Sequence, residues 1–217
     1  MESIVKVAAV AWDIDGTLID SEPRHHRALV EASRYWQVDL ADLSDQAFRG
    51  IHMRDVWSSL SSRFPLRLTF EEWLAAINDA YITDREGLAA VTGAVETINA
   101  LASAGIPQIC VSNSNRAIVD ANIEALGIAP LLVGSISIDD VTVGKPGPEP
   151  YLRACELLGC LPRTVTAIED SITGIRSAKQ AGLFAIAFST DETPFAEADV
   201  VIRDLRSLLT IVGELRF

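Results

Sequence analysis

Near its N-terminus the chain reads VKVAAVAWDIDGT, residues 5–17, an apolar run that ends in two aspartates. The run over residues 5–12 is typical of a buried parallel strand, because it is almost continuously apolar. Asp13 and Asp15 follow at the carboxyl end of that strand, where open α/β sheets bind their ligands. Two carboxylates this close repel each other unless a cation or a shared proton lies between them. The segment therefore predicts a metal site or a proton-sharing pair, and an ordinary Asp-Gly turn at Gly16 is the alternative.

The composition is typical of a soluble globular protein, with 217 residues of which 49% are hydrophobic and 22% charged. A net charge of -12 argues against a nucleic-acid surface, although a bound divalent cation could still admit an anionic substrate. The sequence has neither an apolar run long enough to span a membrane nor the features of a signal peptide, which predicts a cytoplasmic protein. Cys110, Cys155 and Cys160 lack metal-type spacing and are expected to be buried, reduced thiols.

The pattern along the chain predicts an α/β fold with a helical insert. Residues 21–88 show only helical periodicity and are expected to form a helical-bundle domain. Residues 89–217 alternate between short apolar strands and helices, which favours a Rossmann-like parallel sheet that also includes residues 1–20. The insert follows the first strand, so we expect it to lie above the carboxyl ends of the strands and to act as a lid.

Three more polar clusters follow predicted strands, and in a parallel sheet they converge on the two aspartates. Ser112-Asn113 supplies a hydroxyl and an amide, Lys145 lies between a glycine and a proline, and Glu169-Asp170 supplies two carboxylates. Each cluster alone also fits an ordinary helix cap or a solvated charge. Together they predict a site that binds a phosphate group and a hard cation such as Mg²⁺.

These clusters resemble the four motifs of the haloacid dehalogenase superfamily. The resemblance covers nearly the whole chain, and the order of the motifs is that of members with a small helical cap. It is strongest to the subgroup of phosphoglycolate phosphatases, sugar-phosphate phosphatases and β-phosphoglucomutase. It implies a Rossmann-like core of residues 1–20 and 89–217, with a cap of residues 21–88.

The resemblance also implies catalytic roles. Asp13 is expected to attack phosphorus and form an aspartyl-phosphate, with Asp15 as the general acid and then the general base. Ser112 and Lys145 are expected to hold the phosphoryl group, and Asn113 to add hydrogen-bond donors to the substrate.

The same resemblance implies a magnesium site. Its expected ligands are Asp13, the backbone carbonyl of Asp15, and Asp170. Glu169 is expected to bind the metal either directly or through water.

Three residues of the predicted cap are candidate substrate-binding residues. His25, or its neighbour His26, lies where related enzymes carry a histidine that reaches the active site. Arg49-Gly50 resembles a cap loop that binds the distal charge of a substrate. A solvated surface position is the alternative for each of them.

The sequence thus predicts a Mg²⁺-dependent phosphatase that acts on a small phosphorylated metabolite, in particular a sugar phosphate. The protein is expected to be a monomer or a weak homodimer, with no nucleic-acid or membrane partner. A hexose-phosphate mutase is one alternative, but residues 22–88 contain no lysine of the kind that β-phosphoglucomutase uses in its cap. A non-enzymatic binding or regulatory protein is the other, and the four filled motifs argue against it.

Overall fold

The computed structural model describes residues 7–40, 42–44, 53–84 and 88–215. The chain divides into two compact units. The first, called the sheet unit below, comprises Met1–Asp20 and Ala90–Phe217; the second, called the helical unit, comprises Ser21–Ala89.

The sheet unit is built on six parallel strands. Eight strands are described in all: β1 Ala9–Trp12, β2 Ile19–Asp20, β3 Ala89–Ala90, β4 Gln108–Val111, β5 Gly134–Ile136, β6 Val165–Glu169, β7 Phe184–Phe188 and β8 Val200–Ile202. The large sheet has the order β5-β4-β1-β6-β7-β8, and β2 pairs with β3 in a separate two-stranded sheet. Strand β1 therefore lies in the middle, between β4 and β6.

Five α-helices of the sheet unit alternate with its strands. They are α4 Ala94–Ser103, α5 Arg116–Leu126, α6 Glu149–Leu158, α7 Ile172–Gln180 and α8 Ser207–Leu215. All four residues of β1 are buried, as are those of β4 and β6. Burial of both sheet faces explains why β1 reads as a continuous apolar run.

The two faces of the sheet are held differently. On one face, Ala9 and Ala11 of β1 join an apolar cluster that includes Ala154 of α6 and Ala178 of α7. On β4, the buried side chain of Gln108 accepts a hydrogen bond from Trp12 Nε1 at 2.9 Å and donates to the carbonyl of Ile98 at 3.0 Å. The side chain of Gln108 thereby links β4 to both β1 and α4 through hydrogen bonds.

The helical unit contains α1 Glu22–Ser33, α2 Met53–Leu60 and α3 Phe70–Thr83. Helix α3 begins at a capping box, in which the Thr69 hydroxyl accepts from the Glu72 N–H and Glu72 reaches back to the Thr69 N–H. The guanidinium of Arg24, on α1, is fully buried and donates to the carbonyl oxygens of Ala80, Tyr81 and Asp84 at the end of α3. Ala80 also accepts from the Asp84 N–H, whereas the bonds to Tyr81 and Asp84 satisfy carbonyls of the kind that a helix end leaves without a helical partner.

The predicted fold class, an α/β parallel sheet with inserted helices, is confirmed. The apolar stretch over residues 131–138 predicts a strand, but the observed strand is shorter, Gly134–Ile136, because a 3-10 helix, Ala129–Leu131, takes up the start of the stretch. Strands β2 and β3, of two residues each, were not predicted, since so short a segment shows no period. Cys110 and Cys155 are buried as expected, and Cys160 is half-buried. Within the described ranges, no helix is both long enough and apolar enough to cross a membrane.

Candidate active site

Asp13 lies directly after the central strand, at the carboxyl edge of the sheet. Its N–H continues the ladder to β6 by donating to the carbonyl of Ile168 at 2.9 Å. The residue is buried, with 7% of its surface exposed. Its Oδ1 accepts a hydrogen bond from Lys145, whereas no side chain in the described part of the chain pairs with the buried Oδ2. One oxygen of this carboxylate is therefore anchored and the other is left for a ligand.

Lys145 reaches the site from the loop between β5 and α6. Its Nζ donates to Asp13 Oδ1 at 2.7 Å, to Glu169 Oε1 at 2.6 Å and to the carbonyl of Val111 at 2.8 Å. An ammonium group has three donors, so these bonds use all of them. Asn113 holds the backbone of Lys145, accepting from its N–H at 2.8 Å and donating to its carbonyl at 3.0 Å. The position of the ammonium group is therefore strongly constrained.

Glu169 and Asp170 place two more carboxylates beside Asp13. One carboxylate oxygen from each of the three residues can be chosen so that all lie within 4.8 Å of one another. A glycine faces each of the two new carboxylates. A Cβ at Gly16 would lie 2.0 Å from Asp170 Oδ2, and one at Gly174 would lie 1.8 Å from Glu169 Oε2. Gly16 also has φ +83°, a conformation that glycine adopts readily.

The Asp15 carboxylate is held by a separate set of donors. Ser112 Oγ and Ser114 Oγ donate to its Oδ2 at 3.1 and 3.0 Å. The amide of Asn122, a residue of α5, donates to its Oδ1 at 3.1 Å. Both oxygens of Asp15 therefore have hydrogen-bond partners, whereas in the described part of the chain only Oδ1 of Asp13 has one.

Burial and mutual repulsion shift the ionisation of the site. Burial, reinforced by the Glu169 carboxylate, raises the pKa of Asp13 well above its usual range, although Lys145 opposes the shift. The same two causes raise the pKa of Asp170 to about 7. Burial lowers the pKa of Lys145, but Asp13 and Glu169 outweigh it and raise that pKa overall. The site thus carries more negative charge than Lys145 offsets.

The donor set fits a hard divalent cation. Magnesium prefers carboxylate oxygens, and a cation would relieve the repulsion among Asp13, Glu169 and Asp170. The buried Oδ2 of Asp13 without a hydrogen-bond partner is the kind of atom that a metal would satisfy.

The structure thus brings six of the predicted site residues into one cluster of contacts in the sheet unit. They are Asp13, Asp15, Ser112, Lys145, Glu169 and Asp170. Asn113 lies beside Lys145. Its side-chain amide is hydrogen-bonded to the backbone of Lys145, so its predicted role as a donor to the substrate stays a prediction.

The predicted cap residues lie in the helical unit or outside the described residues. The ring of His25 stacks on that of Tyr81, with centroids 4.4 Å apart. His26 Nε2 lies 3.0 Å from the carbonyl oxygen of Leu43. Arg49 and Gly50 lie outside the described residues, so their predicted role stays a prediction.

Four residues of the site were missed by the sequence analysis: Tyr151, Ser114, Asn122 and Ser171. Tyr151 Oη donates to Glu169 Oε1 at 2.6 Å, and Ser171 Oγ donates to Glu169 Oε2 at 3.2 Å. Ser114 and Ser171 lie in loops already singled out and could have been found there. For Asn122 the available signal was a polar residue on an otherwise apolar helix face.

Comparisons with known proteins agree with this geometry. Residues 7–182 match the family described as haloacid dehalogenase-like hydrolase. The chain is 32% identical over 196 residues to validoxylamine A 7'-phosphate phosphatase of Streptomyces hygroscopicus subsp. limoneus, covering 89% of this chain and 92% of the relative. It is 31% identical to hexitol phosphatase A of Escherichia coli (strain K12), covering 91% of each chain.

The fold also matches solved structures. The crystal structure of a predicted phosphoglycolate phosphatase from Haemophilus somnus superposes with a TM-score of 0.84 at 20% identity, covering 96% of this chain and 99% of the other. At this identity the match supports the fold alone. Because the family match and the two relatives cover most of the sequence, this chain belongs to the haloacid dehalogenase-like hydrolases.

Proposed function

We propose that this hydrolase is a Mg²⁺-dependent phosphatase that releases inorganic phosphate from a small phosphorylated sugar or polyol. The observation that carries the proposal is the Asp13 carboxylate. One of its oxygens is anchored by Lys145, and the other is buried without a partner among the described side chains. The names of the two relatives above, validoxylamine A 7'-phosphate phosphatase and hexitol phosphatase A, support the substrate class.

In the proposed first step, a carboxylate oxygen of Asp13 attacks phosphorus. A bond forms between this oxygen and phosphorus while the ester P–O bond breaks, and the leaving oxygen takes a proton from Asp15. Lys145 keeps Asp13 oriented and offsets negative charge, and the hydroxyl of Ser112 lies beside Asp15, where it can donate to a phosphoryl oxygen.

In the second step, Asp15 acts as the base. It takes a proton from a water molecule whose oxygen attacks the phosphorus of the aspartyl-phosphate. The bond between phosphorus and Asp13 breaks, which releases inorganic phosphate and restores the carboxylate. Asp13, Asp170 and the backbone carbonyl of Asp15 would hold Mg²⁺, with Glu169 binding directly or through water. The cation would neutralise charge on the phosphoryl oxygens.

A panel of phosphorylated compounds tests the proposal. It includes hexitol phosphates, hexose phosphates and phosphoglycolate, each assayed for phosphate release with Mg²⁺ and with EDTA. Metal-dependent release is expected, and its absence from every compound would contradict the proposal. β-Glucose 1-phosphate is added with and without glucose 1,6-bisphosphate. Glucose 6-phosphate formed only with the bisphosphate, and without phosphate release, would assign a mutase instead.

The substitution Asp13→Asn tests the covalent mechanism. An amide is a poor nucleophile, so turnover is expected to fall by at least about a thousandfold. The control is Asp79→Asn, the same chemical change at an exposed position of α3, which should leave turnover unchanged. Robust turnover by the Asp13 variant would rule out the aspartyl-phosphate.

A further inference from the structure

Asn122 is an unusual residue for its position. It is fully buried in the middle of α5. The other buried residues of this helix are apolar: Ile118, Val119, Ala121, Ile123 and Leu126. Asparagine has a lower helix propensity than leucine, and a buried amide is costly unless it is hydrogen-bonded. Fold stability alone therefore favours an aliphatic side chain here.

The side chain of Asn122 reaches Asp15. Its Nδ2 donates to Asp15 Oδ1 at 3.1 Å, across 107 residues of sequence. The opposite oxygen, Oδ2, faces Ser112 Oγ and Ser114 Oγ. The carboxylate is thus held between a buried helix face and the serine-rich loop that follows β4.

We propose that Asn122 is a positioning residue that orients Asp15 for proton transfer to the leaving group. This inference rests on the proposed function, in which Asp15 is the general acid. The amide nitrogen fixes the rotation of the carboxyl group, so that the same oxygen always faces the serine loop.

The chemistry of the donors explains which oxygen carries the proton. An amide nitrogen can donate a hydrogen bond but cannot accept one, so Oδ1 of Asp15 stays an acceptor. A serine hydroxyl can do either, and Ser112 and Ser114 can accept from a protonated Oδ2. Asn122 therefore leaves the proton on the oxygen beside the phosphoryl-binding loop. Without this amide, the carboxyl group can rotate and present either oxygen.

The test compares two substrates that differ in their need for a proton. p-Nitrophenolate leaves without protonation, whereas an aliphatic alkoxide needs a general acid. The turnover number kcat is measured for p-nitrophenyl phosphate and for the aliphatic phosphate that the wild type hydrolyses fastest in the panel above. In Asn122→Leu, kcat for the aliphatic substrate is expected to fall at least about tenfold more than kcat for p-nitrophenyl phosphate. The ratio is taken on one preparation, so it does not depend on the fraction of folded enzyme.

The control variant is Gln108→Leu, which removes another buried amide of the sheet unit, one whose hydrogen bonds go to Trp12 and Ile98 instead of Asp15. It should leave the ratio of the two kcat values unchanged. Asn122→Ser, whose hydroxyl is too short to replace the amide, is the second variant if Asn122→Leu does not fold, and the same shift in the ratio is expected.

Three outcomes would overturn the inference. An equal loss on both substrates, or no loss, would mean that Asn122 does not act through proton transfer to the leaving group. A shift in the ratio for Gln108→Leu as well would assign the effect to general destabilisation. A wild type that hydrolyses neither substrate would remove the proposed function itself, and the wild-type measurement makes that case distinguishable from the others.

Discussion

At the scale of single residues, Glu169 shows how a carboxylate of the site is held. Its Oε1 accepts from both Lys145 Nζ and Tyr151 Oη, each at 2.6 Å. Burial, with the nearby Glu169 carboxylate, raises the pKa of Tyr151, so the phenol stays neutral and remains a donor. Tyr151 therefore restrains Oε1 while Ser171 donates to Oε2, and together they would set the direction in which Glu169 faces the proposed metal.

The substitution Tyr151→Phe keeps the ring and removes this donor. We expect the Mg²⁺ concentration for half-maximal activity to rise by about tenfold, since groups that orient metal ligands contribute effects of that size. Activity is measured against Mg²⁺ concentration. Tyr35→Phe, at a residue 76% exposed, is the matched control. An unchanged Mg²⁺ requirement in the Tyr151 variant would mean that Glu169 is oriented by its other partners.

At the scale of elements, α7 approaches the end of β6 closely at Gly174. A Cβ on Gly174 would lie 1.8 to 2.1 Å from three carboxylate atoms of Glu169. Glu169 cannot move away easily, because Lys145 and Tyr151 hold it in a buried position. The helix therefore needs a glycine where helix propensity favours alanine.

Two glycine substitutions separate these effects. Gly174→Ala is expected to destabilise the fold by about 1–3 kcal/mol through overpacking and to lower phosphatase activity. Gly213→Ala, on α8, meets no atom within 4 Å and should be neutral or stabilising by up to about 1 kcal/mol. Denaturant unfolding measures both variants. If Gly174→Ala had the same free energy of unfolding as the wild type, the residues at the end of β6 would be able to move aside for the extra methyl group.

Helices α1 and α3 are joined by a buried guanidinium. Arg24 bonds three carbonyls at the end of α3 and pairs with Glu31 at 3.4 Å. The substitution Arg24→Met keeps an unbranched apolar side chain but leaves these carbonyls without their donor. Leaving buried polar groups unpaired costs about 1–3 kcal/mol.

Hydrogen exchange of α1 and α3 measures the effect of Arg24→Met, and faster exchange in both helices is expected. The control is Arg63→Met, which breaks an exposed ion pair with Asp42 that contributes at most about 1 kcal/mol. Unchanged exchange in the Arg24 variant would contradict a structural role for the buried guanidinium.

At the scale of the whole molecule, the clustered carboxylates would couple the proposed metal binding to folding. Asp13, Glu169 and Asp170 come from two different strand ends, and the unfolded chain separates them. A ligand that binds only the folded state stabilises it, by about 2.7 kcal/mol at a concentration of 100 times Kd.

We therefore expect Mg²⁺ to raise the melting temperature of the wild type and EDTA to reverse the increase. Thermal unfolding followed by circular dichroism measures the shift. Asp170→Asn should abolish most of it, whereas Asp79→Asn, on the exposed face of α3, should retain it. The absence of a shift in the wild type at millimolar Mg²⁺ would argue against a metal in this acidic cluster.

Local patterns were sufficient for much of the fold. The helical patterns over residues 116–126 and 149–158, each followed by a glycine, predict two helices that agree with α5 and α6 at both ends. The fold class and the family are confirmed, since the four polar clusters follow strands that share one sheet edge. The bounds of strand β5 were predicted too wide, and strands β2 and β3 were not predicted. Segments of two or three residues carry little periodic signal.

The sequence by itself determined which residues end the strands, and hence that Asp13, Ser112 and Glu169 would lie at one edge of the sheet, with the loop of Lys145 following β5. It did so because strand-end loops are local features, and a parallel sheet brings them to one edge. Only the tertiary structure decided how these groups are held. Tyr151 and Asn122 act from the inward faces of helices, and their partners lie 18 and 107 residues away in sequence. No local pattern encodes such contacts, because they depend on how each helix packs against the sheet.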